Sequence, residues 1–164
     1  MAITADGKLL ASRSMAGIIT VWNLAEGQEL KRFGERLGRN RINCLLLGPD
    51  GKTLASNGAT EEKVKLWDVT TGQQLTTLKA NLTWQDSPVN SMAFTPDGEV
   101  LAGTTMFGAR MVFWDTSSGQ LLGTIHFPPQ ASSIAFSPDG KTLASAHMNG
   151  TVKLWDSAKL VPQK

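Results

Sequence analysis

The chain has 164 residues, 41% of them hydrophobic, and sets 16 Lys and Arg against 14 Asp and Glu for a formal net charge of +2. That near balance argues for neither a nucleic-acid footprint nor an acidic tail. The single cysteine, Cys44, excludes an internal disulfide, and no apolar run reaches the length of a membrane-crossing helix.

Taken in order, the chain repeats itself. The first repeat, about 1–33, opens with MAITADG, which aligns with MAFTPDG at 92–98, so Met1 falls inside an innermost strand. Asp6-Gly7 makes a tight turn, Trp22 ends the third apolar run, and NLAEGQ leads into a fourth. The second repeat, about 40–78, predicts strands at 43–47, 53–56, 64–67 and 74–78, with Asp50-Gly51, then Trp67-Asp68. The third, about 87–125, predicts strands at 89–94, 100–103, 111–114 and 120–125, with Asp97-Gly98, then Trp114-Asp115. The fourth, about 131–164, predicts 134–136, 142–144 and 151–155, with Asp139-Gly140, then Trp155-Asp156. Its tail, SAKLVPQK, predicts only the stub of a fourth strand, which Pro162 confines to an edge or ends.

The turn chemistry has a mechanism. Pro138 presets the first turn position, Asp139 tolerates the second, and Gly140 supplies the left-handed residue. The Asp-Gly turns recur at intervals of 44, 47 and 42 residues, and the tryptophans at 45, 47 and 41. A third marker, Gly-Gln at Gly27, Gly72 and Gly119, keeps the same period. Units of about 40–45 residues with four short strands each are the signature of a propeller.

Three stretches carry a family resemblance: FSPDGKTLAS at 136–145, VKLWD at 64–68 and 152–156, and TGQ at 71–73. The chain resembles the WD-repeat (WD40) β-propeller family, in the style common among its bacterial members. The resemblance implies an all-β fold, a segment of four WD40 blades as four-stranded antiparallel meanders, in an incomplete ring. A start inside a strand and a stub at the end lead us to expect a piece of a longer propeller, or a half-propeller that completes its ring by self-association.

The resemblance also implies a hydrogen-bonded set in each blade: a histidine before the first strand, a serine or threonine on the second, an aspartate in the next turn, and the tryptophan. Ser12, Ser56 and Ser145 match the serine, facing Trp22, Trp67 and Trp155, whereas Gly103 stands in the third repeat. Ala16, Glu61, Gly108 and Asn149 hold the aspartate position, and no Gly-His dipeptide occurs. The blades are therefore expected to rely on aliphatic packing in place of a complete polar network.

No catalytic constellation emerges, and no metal or cofactor is implied. His126 and His147 lie in different loops without a metal-ligand spacing and read as surface histidines. Asp6, Asp50, Asp97 and Asp139 read as turn formers, with Gly7, Gly51, Gly98 and Gly140, and not as a carboxylate ring. Asp68, Asp115 and Asp156 are structural by resemblance. GATEEK at 58–63 lacks the second glycine and the Lys-Ser/Thr ending of a phosphate loop. Cys44 reads as a buried thiol.

Recognition is the better expectation. Loops between second and third strands, and those between blades, share one end of a propeller. They carry large apolar residues where turns are usually polar: Met15, Trp84, Met106, Phe107 and Met148. Trp84 is the one tryptophan outside the repeat register. Arg36, Arg39 and Arg41 cluster in GERLGRNR, and Arg110 extends the same end. The expected function is a non-enzymatic platform for a protein or peptide, through an aromatic and methionine anchor with arginine support. The alternative is a structural segment completed by other blades or by copies of itself. Nucleic-acid binding through the arginine loop is the third and least favoured reading.

Overall fold

The computed structural model describes residues 1–14, 16–34, 42–58, 63–79, 89–105, 109–126 and 130–160. The first sheet contains β1 (Ala2–Ile3), β2 (Leu9–Arg13), β3 (Ile19–Asn23) and β4 (Gln28–Phe33). The second contains β5 (Ile42–Leu47), β6 (Thr53–Gly58), β7 (Lys63–Asp68) and β8 (Gln74–Lys79). The third contains β9 (Val89–Phe94), β10 (Val100–Thr105), β11 (Arg110–Asp115) and β12 (Leu121–His126). The fourth contains β13 (Ala131–Phe136), β14 (Thr142–His147) and β15 (Val152–Asp156), followed by a one-turn helix, α1 (Ser157–Leu160). Every sheet is an antiparallel meander in chain order. No helix among the described residues is long and apolar enough to cross a membrane.

Local chemistry explains the meanders. Gly7, Gly51, Gly98 and Gly140 adopt φ of 69°, 64°, 75° and 71°, the left-handed conformation that closes a tight turn between first and second strands. Each turn aspartate holds its own loop. Asp6 and Asp139 accept from the hydroxyls of Thr4 and Ser137, both at 2.6 Å, and from the N–H groups of Lys8 and Lys141. Asp50 accepts from the N–H groups of Lys52 and Thr53 and from the Thr53 hydroxyl. Before each of Trp22, Trp67 and Trp114 a register shift separates third and fourth strands, a bulge in the same place in three sheets.

The sheets fan about a common axis. Inner strand β1 neighbours β5, β5 neighbours β9, and β9 neighbours β13. Period-2 alternation gives each sheet two apolar faces, a forward face against the following sheet and a rear face against the preceding one. Ala11, Ile19 and Val21 of the first sheet meet Leu45, Leu54 and Trp67 of the second. Ala55, Val64 and Leu66 meet Met92, Leu101 and Trp114. Ala102, Met111 and Phe113 meet Ile134, Leu143 and Trp155. The fan does not close, because the outermost faces of the first and fourth sheets are exposed. These four antiparallel sheets are WD40-type blades in an incomplete propeller.

Two amides, one buried and one half-buried, clip the sheets together. Asn57 on β6 is 2% exposed; its Oδ1 accepts the Cys44 N–H, which the bulge in β5 frees, and its Nδ2 donates to the Val89 carbonyl of the third blade at 2.5 Å. One blade on, Asn90 makes the equivalent bond from a different strand, Nδ2 to the Ala131 carbonyl at 3.0 Å, and the Thr104 hydroxyl orients it by donating to Oδ1. Ser91 Oγ adds a third bond by accepting the Ile134 N–H.

Two expectations need correction. The tail after Asp156 begins as α1 and not as a strand stub. No glycine stands where Gly27, Gly72 and Gly119 reverse the other blades, with φ of 65°, 75° and 72°. Up to Ser157 the fourth blade closes as the others do. Ser157 bonds to the Lys141 and Gly140 carbonyls as Thr116 bonds to those of Glu99 and Gly98, and Asp156 Oδ1 accepts the Ala158 N–H as Asp115 Oδ1 accepts that of Ser117. Only the missing glycine sets the tail apart. His147 is not a surface loop histidine. It ends β14, is 4% exposed, and its Nε2 lies 2.8 Å from Ser145 Oγ, which also accepts from Trp155 Nε1 at 2.8 Å. The fourth blade thus holds Trp, Ser and His in one hydrogen-bonded set, with the imidazole supplied from the second strand.

Three outcomes follow from these contacts. Asn57→Ala removes the amide's bonds to the Cys44 N–H and the Val89 carbonyl and should cost about 1–3 kcal/mol in urea unfolding. Gly103→Ser, which restores the residue the other blades carry, should destabilise by about 1–3 kcal/mol. The reason is space: a Cβ there would meet the Trp114 ring at 2.8 Å. Carboxyl titration gives the third. The Thr4 hydroxyl bond, then that of the Lys8 N–H, lowers Asp6 from 3.8 to about 2, and the Ser137 hydroxyl bond holds Asp139 below the usual carboxylate range. For Asp50 burial pulls upward, but the bonds from Thr53 and Lys52 outweigh it. A folded value below the unfolded one stabilises the fold above pH 3.8, and that contribution disappears as pH falls through the folded value, about 2 for Asp6. Melting temperature measured from pH 5 downward should fall through this window, and less steeply in Asp6→Asn.

Candidate functional site

The two ends of the fan differ in chemistry. At the end carrying the Asp-Gly turns, neighbouring blades splay apart to leave clefts. One of about 590 Å³ is bounded by Thr4, Lys8, Asn23 and Pro49, and another of about 410 Å³ by Asp50, Leu75, Asp97 and Thr116. The carboxylates there are committed to their own turns, as their hydrogen bonds show. Asp68 and Asp115 behave alike in the turns after tryptophan. Asp68 accepts from the Thr71 N–H, which holds its carboxyl below the usual range, and Asp115 accepts from the N–H groups of Ser117 and Ser118. Among the described residues no group of three or more His, Cys, Asp or Glu could hold a metal ion.

The opposite end is built from the second-to-third-strand loops and the connections between blades. The Met148 N–H donates to the Gln130 carbonyl at 3.1 Å, which ties the two kinds of loop together on the fourth blade. Met148 itself is 72% exposed, directly after the buried His147. Asn149 does not join the tryptophan set, since its Oδ1 accepts from the N–H and hydroxyl of Thr151. On the third blade Arg110 begins β11, half-buried, with its N–H donated to the Thr105 hydroxyl. Ala109, just before it, adopts φ of 45°, a left-handed conformation that costs an alanine about 1 kcal/mol. Arg110 and Met148 therefore lie at one end, on adjacent blades. Met15, Arg36, Arg39, Arg41, Trp84, Met106 and Phe107 lie outside the described residues, as do Glu61 and Gly108.

Among the described residues the cysteine, His126 and the outer-strand ion pair lie apart from one another. Cys44 is partly buried against the core between the second and third blades, and that burial pushes its thiol up. His126 is exposed at the end of β12, opposite Arg110 in the ladder. On the outer strand of the first blade, Arg32 and Glu29 form a surface ion pair at 2.6 Å. The residues that sequence reasoning missed are the interior polar ones: Asn57, Asn90, Ser91 and His147. They are spread over β6, β9 and β14 at different register positions, so no repeated position marks them.

Comparison with known proteins agrees with this geometry. The WD40 family, described as WD domain, G-beta repeat, matches residues 27–68, 72–115 and 119–156. Each match starts at the turn before one blade's outer strand and runs through the three inner strands of the next. The small ribosomal subunit protein RACK1 of Glycine max is 33% identical over 82 residues, half of this chain and 24% of that protein. The protein of the same name from Medicago sativa is 33% identical over the same extent, and RACK1z of Arabidopsis thaliana 32%. The matched stretch thus spans about a quarter of these relatives. They are plant proteins, and the expected likeness to bacterial members finds no support among them. With its family matches spread over most of its length, the chain belongs to the WD40 family, the WD domain, G-beta repeat proteins.

Proposed function

We propose that this chain is a non-enzymatic scaffold that binds a protein or peptide at the loop end of its blades. The observation that carries the reading is the division of labour in the fan. Apolar layers and amide clips fix the blades to one another, so the loops at one end project from a rigid base. Propeller frames suit recognition because loops vary without disturbing the sheets beneath. Met148 supports the reading as an exposed methionine beside Gln130. Exposed methionine and aromatic side chains gain most from burial against a partner.

The anchor comprises Trp84, Phe107, Met15, Met106 and Met148, and Arg36, Arg39, Arg41 and Arg110 pair with carboxylates on the partner. The relatives' name assigns those proteins to the small ribosomal subunit. For this chain the partner class is a protein or peptide surface with an apolar centre and an acidic rim. Recognition needs no cofactor and no bond-making step, in keeping with carboxylates that hold turns.

Affinity capture with the 164-residue chain as bait, read by quantitative mass spectrometry, tests this. The double variant Trp84→Ala with Phe107→Ala should lose at least about tenfold of a reproducibly captured partner, with its melting temperature unchanged. Undiminished capture removes both residues from the site.

A further inference from the structure

Asn23, Asn57 and Asn149 separate the two conditions under which an asparagine side chain reacts with its own backbone. The following residue must bring its nitrogen to the side-chain carbonyl carbon, which glycine allows because no Cβ stands in the way. The segment must also be free to move into that contact, with water at hand. Asn57-Gly58 meets the first condition, Asn23-Leu24 comes closer to the second, and Asn149-Gly150 meets both.

Asn149 is exposed in the turn between β14 and β15. Its Oδ1 accepts from the Thr151 N–H at 3.1 Å and from the Thr151 hydroxyl at 2.7 Å. These bonds fold the side chain along the Gly150 peptide, and they polarise the carbonyl as donors to a developing oxyanion do. Gly150 has φ of 83°, and a Cβ there would meet nothing within 4 Å, so the chain has room. Its N–H is donated to the His147 carbonyl at 3.0 Å, a bond that must open first. Opening a surface turn costs little beside opening a sheet. Asn57 has the same glycine next, but β6 is laddered to Cys44 on one side and Val64 on the other. Its Nδ2, the nitrogen that would leave, is held by the Val89 carbonyl. Asn23 forms a turn like that of Asn149, with Oδ1 accepting from the N–H groups of Ala25 and Glu26, yet Leu24 follows it.

We propose that Asn149 is a site of spontaneous covalent modification, deamidated through a cyclic imide to aspartate and isoaspartate, while the fold protects Asn57. The Gly150 nitrogen attacks Asn149 Cγ, a C–N bond closes the ring, and the Cγ–Nδ2 bond breaks. Nδ2 leaves as ammonia, taking up the proton that the Gly150 nitrogen loses. Water then opens the imide at either carbonyl. Each event consumes one water, releases one ammonia and takes one unit from the net charge of +2. An aspartate keeps the Thr151 bonds, much as Asp139 accepts from the Lys141 N–H two residues on. An isoaspartate puts an extra backbone atom inside the turn that the bonds Gly150 N–H to His147 carbonyl and His147 N–H to Thr151 carbonyl close. The loop between the buried His147 and Thr151, which carries the exposed Met148, therefore loosens as the molecule ages.

The intact 164-residue chain, incubated at neutral pH and then cleaved with trypsin, reads the outcome by mass spectrometry. Peptides 142–153, 53–63 and 14–31 each carry one of the three asparagines. In the folded chain Asn149 should convert at least about tenfold faster than Asn57 or Asn23. In concentrated urea Asn57 should rise to nearly the rate of Asn149, and Asn23 should stay slow. The isoaspartate form, separated by ion exchange, should melt below the wild-type chain, whereas Asn149→Asp should melt with it. Asn57 converting as fast as Asn149 in the folded chain overturns the proposal, as does an Asn149 no faster than Asn23. An isoaspartate form that melts with Asn149→Asp overturns the loosening of the loop.

Discussion

Every other feature of this molecule depends on blade faces packing on blade faces. A three- or four-stranded meander has two apolar sides and cannot shelter either by itself. Ala11, Ala55, Ala102 and Ala144 occupy one register position, and the first three are completely buried because a following sheet presses on them. The small side chain lets the sheets approach while the flanking third strand supplies the bulk. At Gly119 a Cβ would come within 2.9 Å of Thr76 Oγ1 on the preceding blade, so the turn glycine serves the joint as well as the turn.

Polar groups inside these joints set direction more than they add strength. A buried amide that donates to one particular carbonyl is satisfied only when the next sheet is in register, and a slipped sheet leaves both groups unpaired. Asn57 and Asn90 reach equivalent carbonyls, Val89 and Ala131, from different strands. That two routes converge on one acceptor indicates that the constraint lies in the joint and not in any single position. The fourth blade uses another device, with His147 closing a set inside the blade.

Much of the fold was legible because its determinants are local. Asp-Gly turns, a tryptophan at a constant distance and alternating apolar runs depend on a handful of adjacent residues, so they announced the unit and its repetition. The tail after Asp156 was read wrongly for a local reason as well. The fourth blade lacks the glycine that reverses the chain at Gly27, Gly72 and Gly119, and α1 follows β15 although Ser157 makes the same carbonyl bonds as Thr116 in the third blade. The candidate site was less legible. Met148, Met92 and Met111 are one residue type, yet the first is exposed and the other two are buried. What separates them is the presence of another sheet over the position, which no window of sequence contains.

By itself the sequence determined the unit: a meander of antiparallel strands, its turns, its period and membership in a WD40-type array. Those features follow from backbone conformation and side-chain alternation, which act over a few residues. The tertiary structure alone decided which polar side chains became interior clips, that His147 is buried, and which apolar faces are left open. Such outcomes depend on what a neighbouring sheet places opposite each residue. Contacts between residues 32 to 43 positions apart, as at Asn57, Asn90 and Ser91, exist only once the blades have stacked.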